Sequence, residues 1–170
     1  MHDIFPDSPQ FNVNPLERFH LKRMILSPSQ WKGYQPLGRL NWLPVKFDPK
    51  NINQIPDGQS GVYSFVVKPG IANHDNLAYL VYVGKAERQT FRARYQQYLA
   101  EFRKGDESRW LHVAEMLNRW HEFLWFYYAE VPKNSTITPL EKNLISAFLP
   151  PCNHSFHGTV AKHMKKLLGI

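Results

Sequence analysis

The 170-residue chain carries a single cysteine, Cys152, so no internal disulfide can form. A disulfide-stapled secreted scaffold is excluded, and a reducing compartment with a free thiol is the expected setting. Long apolar runs are also missing: the longest, Leu77 to Gly84 and Phe123 to Ala129, fall far short of the about 20 residues that a membrane helix needs. Met1 to Asp7 contain neither a basic start before an apolar run nor a small-residue cleavage site, so no secretory signal is expected and the cytoplasm is the simplest address. Acidic residues are scarce. Fourteen Asp+Glu stand against 21 Lys+Arg, leaving a net charge of +7, and none follows Glu141. That balance points to a polyanionic partner, nucleic acid and not a membrane.

What is present is globular in kind. A hydrophobic share of 43% with 14% aromatic and 21% charged residues excludes a disordered or collagen-like chain, and the length suits one domain with its own core. Residues 1–58 are punctuated by Pro, Gly, Asn and Trp, and one helix is expected there, capped by Asn14, with Pro15 in its first turn and an end near Leu26. Residues 27–58 hold two short candidate elements without a strong period, so 1–58 reads as an N-terminal extension docked on the core. Its aromatics Trp31, Tyr34, Trp42 and Phe47 suit either stacking on unpaired bases or, the commoner use, anchoring the extension.

From Gly61 the texture changes. Val62 to Val67 and Leu77 to Val83 are β-branched and aromatic runs that predict a hairpin with a long loop. Phe91, Tyr95, Tyr98, Leu99 and Phe102 recur at helical spacing and Gly105 supplies a stop. Asp106 is a candidate cap for a second helix with Trp110, Val113, Ala114 and Leu117 on one face, and Phe123 to Tyr128 predicts a strand buried on both sides. Thr138-Pro139-Leu140-Glu141 combines a capping box with proline at the first helical position, and Pro150-Pro151 ends that helix. The expected fold is α+β, a small, mainly antiparallel three-stranded sheet flanked by helices, with a core at 59–153. Residues 154–170 form a basic tail, expected to be helical, whose lysines face phosphates, a membrane surface or simply solvent.

Gly61-Val62-Tyr63 on the first strand, Tyr82-Val83-Gly84 closing the second, an arginine on the next helix, Glu141 with Leu144-Ile145, and Pro151-Cys152-Asn153 resemble the GIY-YIG nuclease superfamily over roughly Gly61 to Asn153. The resemblance implies that 59–153 is a catalytic domain that hydrolyses phosphodiesters with one divalent metal, Mg²⁺ or alternatively Mn²⁺, held by Glu141. It implies that Tyr63 helps to activate the attacking water and that Tyr82 orients water or phosphate. A matching arginine would stabilise charge on the phosphate, and Asn153 would support the site by hydrogen bonding.

The residues themselves allow both structural and chemical readings. Each tyrosine alone suits core packing, but two phenols on neighbouring strands, one beside Gly84 where backbone can approach a ligand, can surround one phosphate. A phenol of pKa about 10 is a poor base at neutral pH, so cations must assist it. Glu141 would serve the capping box, yet about 100° per residue sets it among Leu144, Ile145 and Phe148, on an inward face where a carboxylate needs a partner such as Mg²⁺. Arg92 lies at the interval from Gly84 that is usual in the family. Arg94 instead keeps the helix register, Phe91-x-x-Arg94-x-x-x-Tyr98, and is preferred because loops absorb insertions more easily than helices change face. Lys85 reads equally as a phosphate contact and as a solvated loop lysine, and Asn153 as a turn residue. Cys152, His154, His157 and His163 match no standard zinc spacing. The expected function is a Mg²⁺-dependent endonuclease acting on DNA in preference to RNA; the alternative is a nucleic-acid-binding module on the same scaffold without turnover.

Overall fold

The computed structural model describes residues 24–34, 38–71, 74, 77–108, 110–132 and 134–153. The helix expected from Asn14 falls almost wholly outside them, and the basic tail, with His154, His157 and His163, falls wholly outside. A short helix α1 (Pro28–Gly33) precedes strand β1 (Leu43–Lys46) and a 3₁₀ turn (Pro49–Gln54). Then come β2 (Gly61–Val67), β3 (Tyr79–Ala86), α2 (Phe91–Lys104), α3 (Leu111–Trp120), β4 (Leu124–Glu130) and α4 (Asn134–Phe148). The fold is α+β. Its sheet has four strands in the order β1-β4-β2-β3, every neighbour antiparallel, and not the three expected.

The fourth strand comes from the N-terminal extension. Leu43–Lys46 is too short to show a period, yet it pairs along β4 from Leu43↔Tyr128 to Lys46↔Trp125. Val45, Phe47 and Ile55 join the main core, where Phe47 meets the rings of Phe65, Tyr95 and Phe102 edge-on. Tyr34 and Trp42 pack against the second cluster, whereas Trp31 is exposed.

The central strand β2 is buried along nearly all its length because both faces are covered. On one face Tyr63, Phe65 and Phe126 pack with Phe91, Tyr95, Tyr98 and Leu99 of α2 and with Val113, Met116 and Leu117 of α3. On the other, Val62, Val83 and Ala129 meet Ile137, Leu140, Leu144 and Ile145 of α4. A register shift between Phe65 and Val66 leaves Val81 without a partner in β2. Both Val81 and Tyr82 then pack with the α2 cluster, as a bulge directs two consecutive residues to one side.

Helix α2 begins at Thr90, whose side chain accepts from the Ala93 N–H, and stops at Gly105 with φ 53°, as its pattern predicts. Other helix boundaries differ from expectation. Asp106 is not the cap of α3: residues 105–107 form a 3₁₀ turn, the cap position falls to Trp110, and that ring is exposed instead of lying on the buried face. Phe123 sits in a turn before β4 and is exposed, and Trp125 and Tyr127 on the outer face of β4 are only half-buried.

The capping box at Thr138 does not form. Helix α4 starts at Asn134, which puts Pro139 inside it. An internal proline forfeits a backbone hydrogen bond at a cost of about 3 kcal/mol. Burial of Ile137, fully enclosed in the second cluster and worth about 1.5–3 kcal/mol, offsets much of that. Tertiary burial thus overrides the local start signal. Phe148 is exposed and does not share the inward face with Leu144 and Ile145.

Gly61 has φ 154°, and a Cβ there would lie 2.2 Å from the Ala129 carbonyl oxygen and 2.8 Å from the Val131 nitrogen, both backbone atoms of the β4 end. Neither neighbour can yield. Gly61→Ala is therefore expected to cost about 3 kcal/mol or more, measured by urea unfolding; a loss within about 0.5 kcal/mol, typical of an innocuous surface change, would contradict the β2–β4 register.

Candidate active site

Antiparallel pairing sets Tyr63 directly opposite Gly84 and Phe65 opposite Tyr82. The Tyr63 ring occupies the space above Gly84, where a Cβ would lie 2.6 Å from the Tyr63 Cζ and hydroxyl. The glycine therefore makes room for a tyrosine of its own fold; the expected approach of backbone to a ligand is replaced by that contact. The Tyr63 hydroxyl is 2.8 Å from the Tyr98 hydroxyl, and the Tyr82 ring stands edge-on to that of Tyr98 with centroids 6.2 Å apart. Two strands and one helix thus bring three phenols together.

Burial pushes all three phenols up. It raises Tyr63 and Tyr98 far above the ordinary tyrosine range and raises Tyr82 as well, against the smaller pull of the Arg94 guanidinium on Tyr63 and Tyr82. At neutral pH the cluster is a set of O–H groups, able to donate to an anionic oxygen or order a water, and unable to act as a base unaided.

The phenols open onto a cavity of about 240 Å³ that Lys85, Arg94 and Glu141 also line. Trp110, His112 and Val113 complete its lining. Arg94 projects from α2 one turn before Tyr98; its Nη1 donates to Gln97 Oε1 at 3.1 Å, while its Nε is buried without a hydrogen-bond partner. A buried guanidinium N–H left without an acceptor is costly, and the guanidinium as a whole lines the cavity. Arg92 is elsewhere. Its Nε donates to the Ile55 carbonyl at 2.9 Å and its Nη1 is 3.6 Å from Asp57 Oδ2, so it fastens α2 to the segment before β2. Two residues along a helix turn a side chain about 200° away, which separates the two arginines.

Glu141 lies one helical turn before Ile145, with its side chain 17% exposed and Oε2 3.4 Å from Lys85 Nζ. Lys85 is not a solvated loop residue: it belongs to β3, donates to Thr138 Oγ1 and is 3.5 Å from Glu87 Oε2. Thr138 in turn donates to the Glu87 carboxylate at 2.9 Å. Glu141 has no capping role; it faces β3 across the cavity rim, with a lysine between it and a second carboxylate. Among the described residues no group of three or more His, Cys, Asp or Glu gathers as a metal cage.

Asn153 supports from behind. Its Oδ1 accepts from the Val83 N–H at 2.9 Å and its Nδ2 donates to the Val83 carbonyl at 2.7 Å, one residue from Tyr82. Cys152 is buried and forms no disulfide.

No protein-family model, curated protein or solved structure matches the chain. The GIY-YIG resemblance rests on the motif residues themselves. Of these, Tyr63, Tyr82, Lys85, Arg94 and Glu141 line one cavity, Asn153 braces its floor strand, and Arg92 points away. Tyr98, Glu87, Thr138 and Trp110 complete the arrangement without having been singled out as site residues. Tyr98 carried a signal in its spacing from Arg94, whereas Glu87 and Thr138 depend on β3 meeting α4, which no local pattern encodes.

Folded phenols with raised pKa values contribute stability that is full below about pH 10, the unfolded value, and is lost as pH climbs toward the folded values. Each contributes a slope approaching about 1.4 kcal/mol per pH unit. Tyr98→Phe should show a shallower loss of unfolding free energy than the wild type between pH 10 and 11; parallel slopes would show that Tyr98 titrates as an ordinary exposed phenol.

Proposed function

We propose that the chain is a metal-dependent endonuclease of the GIY-YIG kind, hydrolysing phosphodiester bonds in nucleic acid, with DNA as the preferred substrate. The observation that carries this reading is that Arg94 lines one cavity with Glu141, Lys85 and three protonated phenols. That set offers cationic and neutral donors to a phosphate, and a carboxylate at the rim.

In this reading Arg94 takes a non-bridging phosphate oxygen and stabilises the charge that grows on it during attack. Tyr63 and Tyr98 share one hydrogen bond, so a water or phosphate oxygen reaching them meets a donor already oriented. Burial keeps Tyr63 protonated, so it positions the attacking water and gives up its own proton only under the influence of nearby cations. Tyr82 orients the same water or the phosphate. Lys85, held between Glu141, Glu87 and Thr138, sits where it can contact the phosphate or pass a proton to the leaving oxygen. Asn153 holds the β3 backbone that carries Tyr82 and Lys85.

A single rim carboxylate fits Mg²⁺ or Mn²⁺, which bind through one or two carboxylates together with waters and substrate phosphates. Glu141 would hold it, and among the described residues no set of donors makes a closed zinc cage. Bound there, the ion would supply positive charge against the phosphate oxygens. The first test is incubation with single- and double-stranded DNA and RNA, with Mg²⁺ or with EDTA, and mapping of the cut ends. Metal-dependent cuts within the chain are expected; binding without any cleavage would leave the binding-module reading.

Arg94→Ala should abolish cleavage, whereas Arg92→Ala, which loses its links to Ile55 and Asp57, should lower the melting temperature and leave turnover largely intact. The reverse pattern would overturn the role given to Arg94. Glu141→Gln removes the carboxylate without disturbing a cap, so it should fold as the wild type does while cleavage falls by at least about 10²-fold, the scale of losing one electrostatic stabiliser. Wild-type cleavage in that variant would refute the metal role.

A further inference from the structure

Trp110 is 42% exposed although Val113, Ala114, Met116 and Leu117 in the helix that follows are buried. It belongs to neither hydrophobic cluster. It borders the cavity of Arg94 and the phenols, and also a second hollow lined by Glu101, Lys104 and Glu107.

Its backbone is held there by a buried relay. The Trp110 N–H donates to Ser108 Oγ at 3.0 Å, and that hydroxyl donates to Glu101 Oε2. Glu101 is buried to 9% exposure on α2, and its other oxygen takes Lys104 Nζ at 2.7 Å. A buried carboxylate is costly unless its oxygens are satisfied, and here the groups that satisfy it fix the segment leading into Trp110.

We propose that Trp110 is a stacking platform for an unpaired nucleobase adjoining the phosphate that Arg94 receives, so that the site takes single-stranded or flipped-out nucleotides. This rests on the nuclease reading of the same cavity. A guanidinium and an ammonium for the backbone beside a flat, water-facing indole is the pairing of groups with which single strands are gripped, since an unpaired base offers a free π-face. Bases within a duplex are already stacked and offer none. Stacking on one aromatic side chain changes affinity on the order of tenfold.

The test uses the full chain in EDTA, so that binding is read without cleavage, with oligothymidylate and an abasic oligomer of the same length as probes. Trp110→Ala should weaken oligothymidylate binding about tenfold and leave the abasic oligomer unaffected, while Trp110→Phe restores most of the loss. Wild-type fluorescence should be quenched by oligothymidylate, and Trp110→Phe should lose that part of the quenching. Equal weakening for both oligomers, no weakening for either, or a wild type that binds no oligothymidylate overturns the platform. Cleavage in Mg²⁺ is scored separately: base-dependent binding without cutting sinks the nuclease reading alone, and cutting with Trp110-independent binding sinks the platform alone.

Discussion

The site depends on one cross-strand contact, the Tyr63 ring lying over Gly84. A side chain at position 84 would drive the ring away, since the Cβ would lie 2.6 Å from the Tyr63 hydroxyl. With the ring down, the hydroxyl points along the sheet to Tyr98, and the next pair, Phe65 opposite Tyr82, brings the second strand phenol to the same helix residue. The bulge brings the unpaired Val81 to that side as well. The spacing of the strand phenols and the cavity they line follow from this register.

Lys85 owes its place to strand alternation. It follows Gly84 on β3, lies opposite Val62 and shares the α4 face with Val83, so its ammonium reaches α4, where Thr138 and Glu141 lie one turn apart. That reach requires α4 to begin before Thr138, so that the threonine hydroxyl is free to serve Lys85 and Glu87 instead of capping the helix. The proline within α4 is the local cost of this arrangement, about 3 kcal/mol by general experience, and the buried Ile137 helps to sustain it.

Much of this was legible along the chain, and the reason is periodicity. Tyr63, Phe65 and Val67 alternate, and Phe91, Tyr95, Tyr98 and Leu99 repeat with the helix, so β2 and α2 declare themselves and carry Tyr63 and Arg94 with them. The helix register also separates Arg94 from Arg92, because the two leave α2 on nearly opposite sides. What was not legible depends on distant partners. Leu43–Lys46 becomes a strand only because β4 has a free edge, and Thr138 loses its capping role only because Lys85 and Glu87 approach from another element. Trp110 has a spacing that suits the buried face of α3, but the Ser108–Glu101 relay holds the chain one step outside it.

Asn153 does more than brace the floor of the cavity. Strand β3 is the outermost of its side of the sheet, and an edge strand presents backbone groups that invite pairing with another chain. The Asn153 carboxamide occupies both the N–H and the carbonyl of Val83, and the Cys152 N–H takes the carbonyl of Val81. At the opposite border β1 is only four residues long and includes Pro44, which has no N–H to offer. The same asparagine that steadies Tyr82 therefore closes one flank of the sheet, and a polar replacement unable both to donate and to accept would leave that flank open to self-association.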